Sequence, residues 1–197
     1  MKKKSIALLM AVVMLFGATF AGVYAWLTDT SATVTNTFVE GKIEIELDEA
    51  DFDNSTPDKD RDTANKYDVI PGSTYLKDPR VTVKANSEKC YLFVKLEETG
   101  NPSTYYTYTP NWTDWTPLGT GYPNVYWRVV DASTTDQSWY LLTGNDTYKD
   151  GFITVKDTVT QDNMSAAAAA ELKWTAYAIQ YVNFENKEVD AWNAISK

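Results

Sequence analysis

The sequence predicts an all-β protein, an antiparallel jelly-roll-like β-sandwich with one or two short helices. Two observations predict it. Apolar and polar residues alternate through most of the chain after residue 40, the period of half-buried strands. Turn formers interrupt that alternation at roughly 8–12-residue intervals, the spacing of sandwich folds. No internal repeat or Gly/Ser linker divides the chain, so residues 26–197 read as one domain.

The elements follow in order. Ile43, Ile45 and Leu47 alternate with Lys42, Glu44, Glu46 and Asp48, which predicts a strand with a charged outer face. Residues 49–66 are polar and rich in turn formers, and read as a loop. Pro71-Gly72 is a turn dipeptide. Val81 and Val83, then Cys90, Leu92, Val94 and Leu96, alternate on either side of the turn "ANSEK" and look like a hairpin. Strand patterns return at 124–130, 138–143 and 151–156, the last two punctuated by Asn145-Asp146 and Asp150-Gly151. The alanine run in "MSAAAAAELK" favours a short helix or turn, and "KWTAYAIQYVNF" alternates as a core strand. Val189, Trp192 and Ile195 fall at helical spacing and predict a short terminal helix.

Residues 1–25 have the three parts of an export signal: Lys2, Lys3 and Lys4, an apolar stretch from Ile6 to Ala21, and Val23 and Ala25 as the small residues preceding a cut before Trp26. An uncleaved anchor is the other reading, because the segment approaches the length of roughly 20 residues that spans a bilayer. Cleavage leaves 172 of the 197 residues and takes the formal charge from −9 to −12, since three lysines are lost. So acidic a chain has no electrostatic case for nucleic acid or an anionic membrane surface.

The chain has no histidine. That excludes Ser-His-Asp and Cys-His nucleophile activation and histidine-ligated zinc. A hydrolase built on two carboxylates stays open. Cys90 is the one cysteine, so no internal disulfide can form; its alternating apolar position reads as a small buried hydrophobe, with an intermolecular disulfide or a reactive thiol as the other reading. No cofactor is expected. Asp58, Asp60 and Asp62 have the spacing that opens a calcium loop, but Thr63 and Val69 stand where that loop needs Gly and Glu. A solvated acidic loop is the plainer reading.

Residues 99–127 turn rich in Tyr, Trp, Thr, Pro and Gly. Tyr105, Tyr106, Trp112, Trp115 and Tyr122 stand out within 105–127. Three readings are open: packing across strands, a protein interface, or stacking on sugar rings.

Directly after the expected cut, residues 26–38 carry β-forming Thr33, Val34 and Thr35 and then Phe38, with Gly41 before the next strand. Such a segment can join its own sheet or complete the open edge of a neighbouring copy. Here the sequence resembles the TasA/camelysin-like secreted proteins of Gram-positive bacteria. The resemblance is carried by Ala25, Trp26-Leu27, Thr28-Asp29, Asn36, Phe38 and Gly41, and by the blocks 71–98 and 174–195. Leu27 stands where the family usually has a second aromatic residue, and 99–165 match little. The resemblance implies a jelly-roll sandwich, export through a dedicated SipW-type signal peptidase, and self-association into biofilm matrix fibres by donor-strand exchange. Metalloprotease activity linked to camelysin-type members does not carry over to a chain without histidine.

The expectation is therefore a secreted, non-enzymatic subunit of a cell-surface or extracellular matrix fibre, with no membrane contact after cleavage. The alternative is a secreted module that binds glycan or cell-wall polymer through 105–127.

Overall fold

Apolar residues at every second position make one face of a strand a core face, and this chain applies that rule in two sheets stacked on each other. The computed structural model describes residues 41–51, 61–62 and 65–196, all within one compact unit spanning 40–197. The strands are β1 (Ile45–Ala50), β2 (Arg61–Asp62), β3 (Thr74–Leu76), β4 (Arg80–Val83), β5 (Cys90–Thr99), β6 (Tyr106–Thr107), β7 (Thr116–Pro117), β8 (Val125–Val130), β9 (Gln137–Tyr140), β10 (Phe152–Val155) and β11 (Glu171–Gln180). Among them lie α1 (Pro102–Tyr105), α2 (Met164–Ala168) and α3 (Glu188–Ile195). All pairings are antiparallel, in sheets ordered β2-β1-β4-β9, β11-β5-β8-β7 and β3-β10-β6.

The first two sheets enclose the main core. Val81 and Val83 from β4 meet Cys90, Leu92 and Val94 from β5, and Trp115, Val130 and Leu141 belong to the same buried cluster. Each fully buried aliphatic side chain contributes about 1.5–3 kcal/mol. The intervening residues of β5, Tyr91 and Phe93, point the other way, into a second core closed by Trp192 of α3. Trp192 lies 5.4 Å from the Phe93 ring and 5.1 Å from Tyr177. The unbroken apolar run "CYLFV" thus marks a strand buried on both faces.

The all-β sandwich, the terminal helix and the short helix in the alanine run match the expectation. Pro71-Gly72 forms a turn in which Ser73 N–H donates to the Ile70 carbonyl at 3.0 Å, and Gly72 takes the positive φ of 79° that its second central position requires. Three readings need correction. There are three short helices among the described residues rather than one or two, because Asn101 at φ 52° turns the chain and Pro102 starts a helical turn.

The expected hairpin of 81–83 and 90–96 does not form. Val81 pairs with Leu47 and Trp139, while β5 pairs with β11 and β8. The connection crosses from one sheet to the other. Asn86 at φ 62° redirects it, Ser87 Oγ accepts from Glu44 N–H at 3.1 Å, and Lys89 carbonyl accepts from Tyr181 N–H at 2.9 Å. An arch and a hairpin have the same alternation, so the pattern alone does not separate them.

Finally, β1 continues through Glu49 and Ala50, and Arg61–Asp62 pair with those residues. What reads as one loop over 49–66 therefore contains strand at 49–50 and at 61–62.

Candidate functional site

Where the ends of all three sheets approach, the side chains leave a cavity of about 870 Å³, within the 300–1,000 Å³ range of small-molecule sites. Its apolar wall includes Val69, Ile153, Val155 and Leu172, its aromatic wall Tyr67, Tyr75, Tyr106 and Trp174, and its charged wall Glu49 and Lys77 with Asn65.

The charged wall joins Glu49 of β1 to Lys77, which follows β3, and to Asn65, which follows β2. Glu49 is 7% exposed and Lys77 8%. Lys77 Nζ donates to Glu49 Oε2 at 2.9 Å, and Asn65 Nδ2 donates to Glu49 Oε1 at 2.9 Å and to the Ala50 carbonyl at 2.9 Å. Lys77 Nζ also sits 5.1 Å from the centre of the Tyr67 ring, a cation–π contact. A buried charge costs several kcal/mol unless paired and hydrogen-bonded, and here the pairing involves three separate segments.

A second group lies beside it. Arg61 donates through Nε to Asp48 Oδ1 at 2.6 Å, through Nη1 to Asp78 Oδ2 at 2.8 Å and through Nη2 to the Asp78 carbonyl at 2.9 Å. Arg80 adds bonds from Nη2 to Asp48 Oδ2 at 2.9 Å and from Nε to Asp48 Oδ1 at 3.2 Å. Ala50 N–H donates to Asp78 Oδ1 at 2.7 Å. Burial opposes ionisation of Asp48, yet the Arg80 and Arg61 guanidiniums hold its carboxyl below the ordinary value of 3.8. Burial likewise lowers Arg61, and hydrogen bonds to Asp78 and Asp48 raise it above its usual value. The planar fork of Arg61 suits a site that needs several donors in fixed directions, and it fastens β2 to β1.

None of these residues is singled out by sequence patterning. Asp48 reads as part of a charged outer face, but it is buried. The one available signal is the density of opposite charges in "LDEA" and "LKDPR", both at strand ends. Which charge meets which depends on pairings 13 to 32 residues apart.

The aromatic residues singled out at 105–127 separate into different clusters. Tyr105 and Tyr106 pack around Val155 and Val159, and Tyr106 Oη donates to the Ala167 carbonyl at 2.8 Å. Trp112 stacks on Tyr126 at 3.7 Å with planes 10° apart, and lies 5.7 Å from Trp174. Trp115 is 8% exposed in the main core, where the Arg128 guanidinium lies 5.6 Å from its ring and 4.2 Å from Trp139. Burial lowers the Arg128 pKa, partly offset by Asp114. Tyr122 packs on the outer core and donates to Asn193 Oδ1 at 3.2 Å. Of the five, Tyr106 alone lines the cavity, so they form no shared stacking platform.

Val23, Ala25, Trp26, Thr33, Val34, Thr35, Phe38, Asp58 and Asp60 lie outside the described residues, and of Asp62 only its place in β2 is described. Gly41 is exposed, and a Cβ there would meet Glu88 Cγ at an ordinary 3.4 Å. Cys90 is fully buried, and burial pushes its thiol up to about 11. Among the described residues no group of acidic, histidine or cysteine side chains is arranged to hold a metal ion, and no helix is long and apolar enough to cross a membrane. Comparison with family models, with curated proteins and with solved structures gives no match.

Proposed function

We propose that the chain is an exported subunit of a cell-surface or biofilm matrix fibre, of the TasA/camelysin-like kind, assembling through an N-terminal donor strand freed by a dedicated signal peptidase. The observation that carries this reading is the strand-forming sequence of residues 26–38 directly after the expected cleavage point. Two features of the fold support it. The domain is an antiparallel sandwich, and β11 pairs with β5 alone among the described residues, over ten residues from Glu171 to Gln180. The outer edge of such a strand is a row of backbone donors and acceptors that an extended segment can extend by hydrogen bonding. A head-to-tail contact of that type repeats into a filament rather than closing a ring.

The mature protein is expected to form fibres visible by electron microscopy, and deletion of residues 26–38 is expected to abolish them while leaving the far-UV circular dichroism of the sandwich unchanged. Fibres of undiminished length from the deletion variant would refute the donor-strand reading. The glycan-binding alternative relies on rings acting together, whereas Trp112 and Trp115 are engaged with Tyr126, Trp174 and Trp139. Polysaccharide retention that disappears in folded Trp112→Ala and Trp115→Ala variants would restore it.

A further inference from the structure

The group Lys77, Glu49 and Asn65 brings together an amine, a carboxylate and a carboxamide in the buried wall of the cavity. From this geometry we propose that the three residues form an intramolecular isopeptide crosslink between Lys77 and Asn65, with Glu49 as the proton-transferring catalytic residue. The inference goes beyond the fibre reading and does not depend on it.

Glu49 lies between the two nitrogens that amide exchange has to serve. The nucleophile, Lys77 Nζ, is 2.9 Å from Glu49 Oε2. The leaving group, Asn65 Nδ2, is 2.9 Å from Glu49 Oε1. One carboxylate therefore touches both nitrogens, one through each oxygen. The orientation of the amide is set by its second bond, because Nδ2 also donates to the Ala50 carbonyl at 2.9 Å, and only the nitrogen end of the amide can donate to both acceptors. The side chains of Lys77 and Glu49 are about one-tenth exposed. The Tyr67 ring covers the amine.

The step balances without an oxidant or a metal. Glu49 takes a proton from the Lys77 ammonium, and the neutral amine attacks Asn65 Cγ, forming the new C–N bond. Glu49 passes the proton to Nδ2, the Cγ–Nδ2 bond breaks, and nitrogen leaves as ammonia. That transfer returns Glu49 to the carboxylate, which relays the second proton lost by Nζ to the ammonia, released as ammonium. The 2.9 Å hydrogen bond from Lys77 Nζ to Glu49 Oε2 is the path of the first transfer. Holding the groups in one geometry supplies the rest, as in other intramolecular acyl transfers.

The product would join the segment after β2 to the end of β3, both of which wall the cavity beside β1. A chain with a single, buried cysteine has no disulfide to perform this task. An amide crosslink does it independently of redox conditions.

Intact-mass spectrometry of the denatured full chain tests the proposal. The wild type is expected to be lighter than its sequence by one ammonia. Trypsin should fail to cut after Lys77 and release a branched peptide joining 65 and 77. Asn65→Asp is expected to lose water instead of ammonia, which brings its final mass to that of the crosslinked wild type. Lys77→Arg should keep its full mass, and folded Glu49→Gln should lose little or no ammonia. A wild type of full mass overturns the proposal. So does ammonia loss that persists in Lys77→Arg, which identifies a cyclic imide at Asn65, and wild-type extents of crosslinking in folded Glu49→Gln overturn the role of Glu49. If Glu49→Gln does not fold, the Asn65→Asp and Lys77→Arg masses still decide.

Discussion

Asp48 accepts hydrogen bonds from two arginines while almost out of contact with water. Its carboxyl pKa is depressed in the folded protein: burial acts upward, and Arg80 and Arg61 together outweigh it. For a depressed carboxylate the stabilising contribution is complete above the unfolded value and is lost as pH falls through the folded value. Asp48→Asn leaves both guanidiniums facing an uncharged amide. At neutral pH this variant is expected to lose about 3–5 kcal/mol, the cost of removing one partner from a buried ion pair. The gap between wild type and variant should narrow as pH falls below the ordinary aspartate value of 3.8, because the wild type then loses the same charge. Urea unfolding of both proteins across that range measures the gap. A difference that stays constant to the lowest pH at which both fold would show that the ionised form of Asp48 contributes nothing. The residue scale is also where sequence was least informative. The burial of Asp48 and Glu49 depends on Arg61, Asn65, Lys77 and Arg80, and no local pattern announces a charge whose partner comes from another segment.

At the scale of elements, side-chain alternation located β1, β4, β5, β8, β9, β10 and β11 because period two is imposed by the pleat itself. It did not say which strands pair. Val81 and Val83 face the same core as Cys90 and Leu92, whether the chain between them forms a hairpin or an arch. The choice is made by Asn86, Ser87 and Lys89, which bond to Ser133, Glu44 and Tyr181 in other segments of the chain. Glycine at a junction was legible in kind, though not in its contact. Gly151 opens β10 at φ 144°, and a Cβ built there would lie 2.2 Å from the Lys77 carbonyl oxygen. The same pair of residues is joined by a hydrogen bond from Lys77 N–H to the Gly151 carbonyl at 3.2 Å. Gly151→Ala combines an unfavourable backbone conformation with a direct clash, and is expected to cost at least about 1–3 kcal/mol. Chemical denaturation gives that value. The amides of Thr74 to Leu76, which pair with β10, should also exchange hydrogen faster in the variant. Unchanged exchange there would mean that the strain is absorbed elsewhere.

The two cores of the whole molecule share one strand. Residues 90, 92 and 94 of β5 enter the space between the large sheets, and residues 91 and 93 enter the space under α3. Neither core can therefore come apart without disturbing the backbone on which the other rests. β5 also pairs along its length with β11 and over six residues with β8, so its displacement breaks the central ladder of its sheet. This connectivity predicts cooperative loss of both cores, with the terminal helix acting as part of the fold and not as an appendage. Trp192→Ala removes the largest side chain contributed by α3 to the outer core and is expected to destabilise the protein by about 3–5 kcal/mol. Two probes separate cooperative from independent behaviour. Alkylation of Cys90, fully buried in the inner core, reports one side, and the native NMR amide signals of Glu188–Ile195 report the other. With β5 as the shared element, both midpoints in urea shift together by the same amount in Trp192→Ala. A shift in the midpoint of the helix amide signals while Cys90 stays protected to the wild-type concentration would mean that the outer core melts first, and that the helix and the sandwich are separate cooperative units.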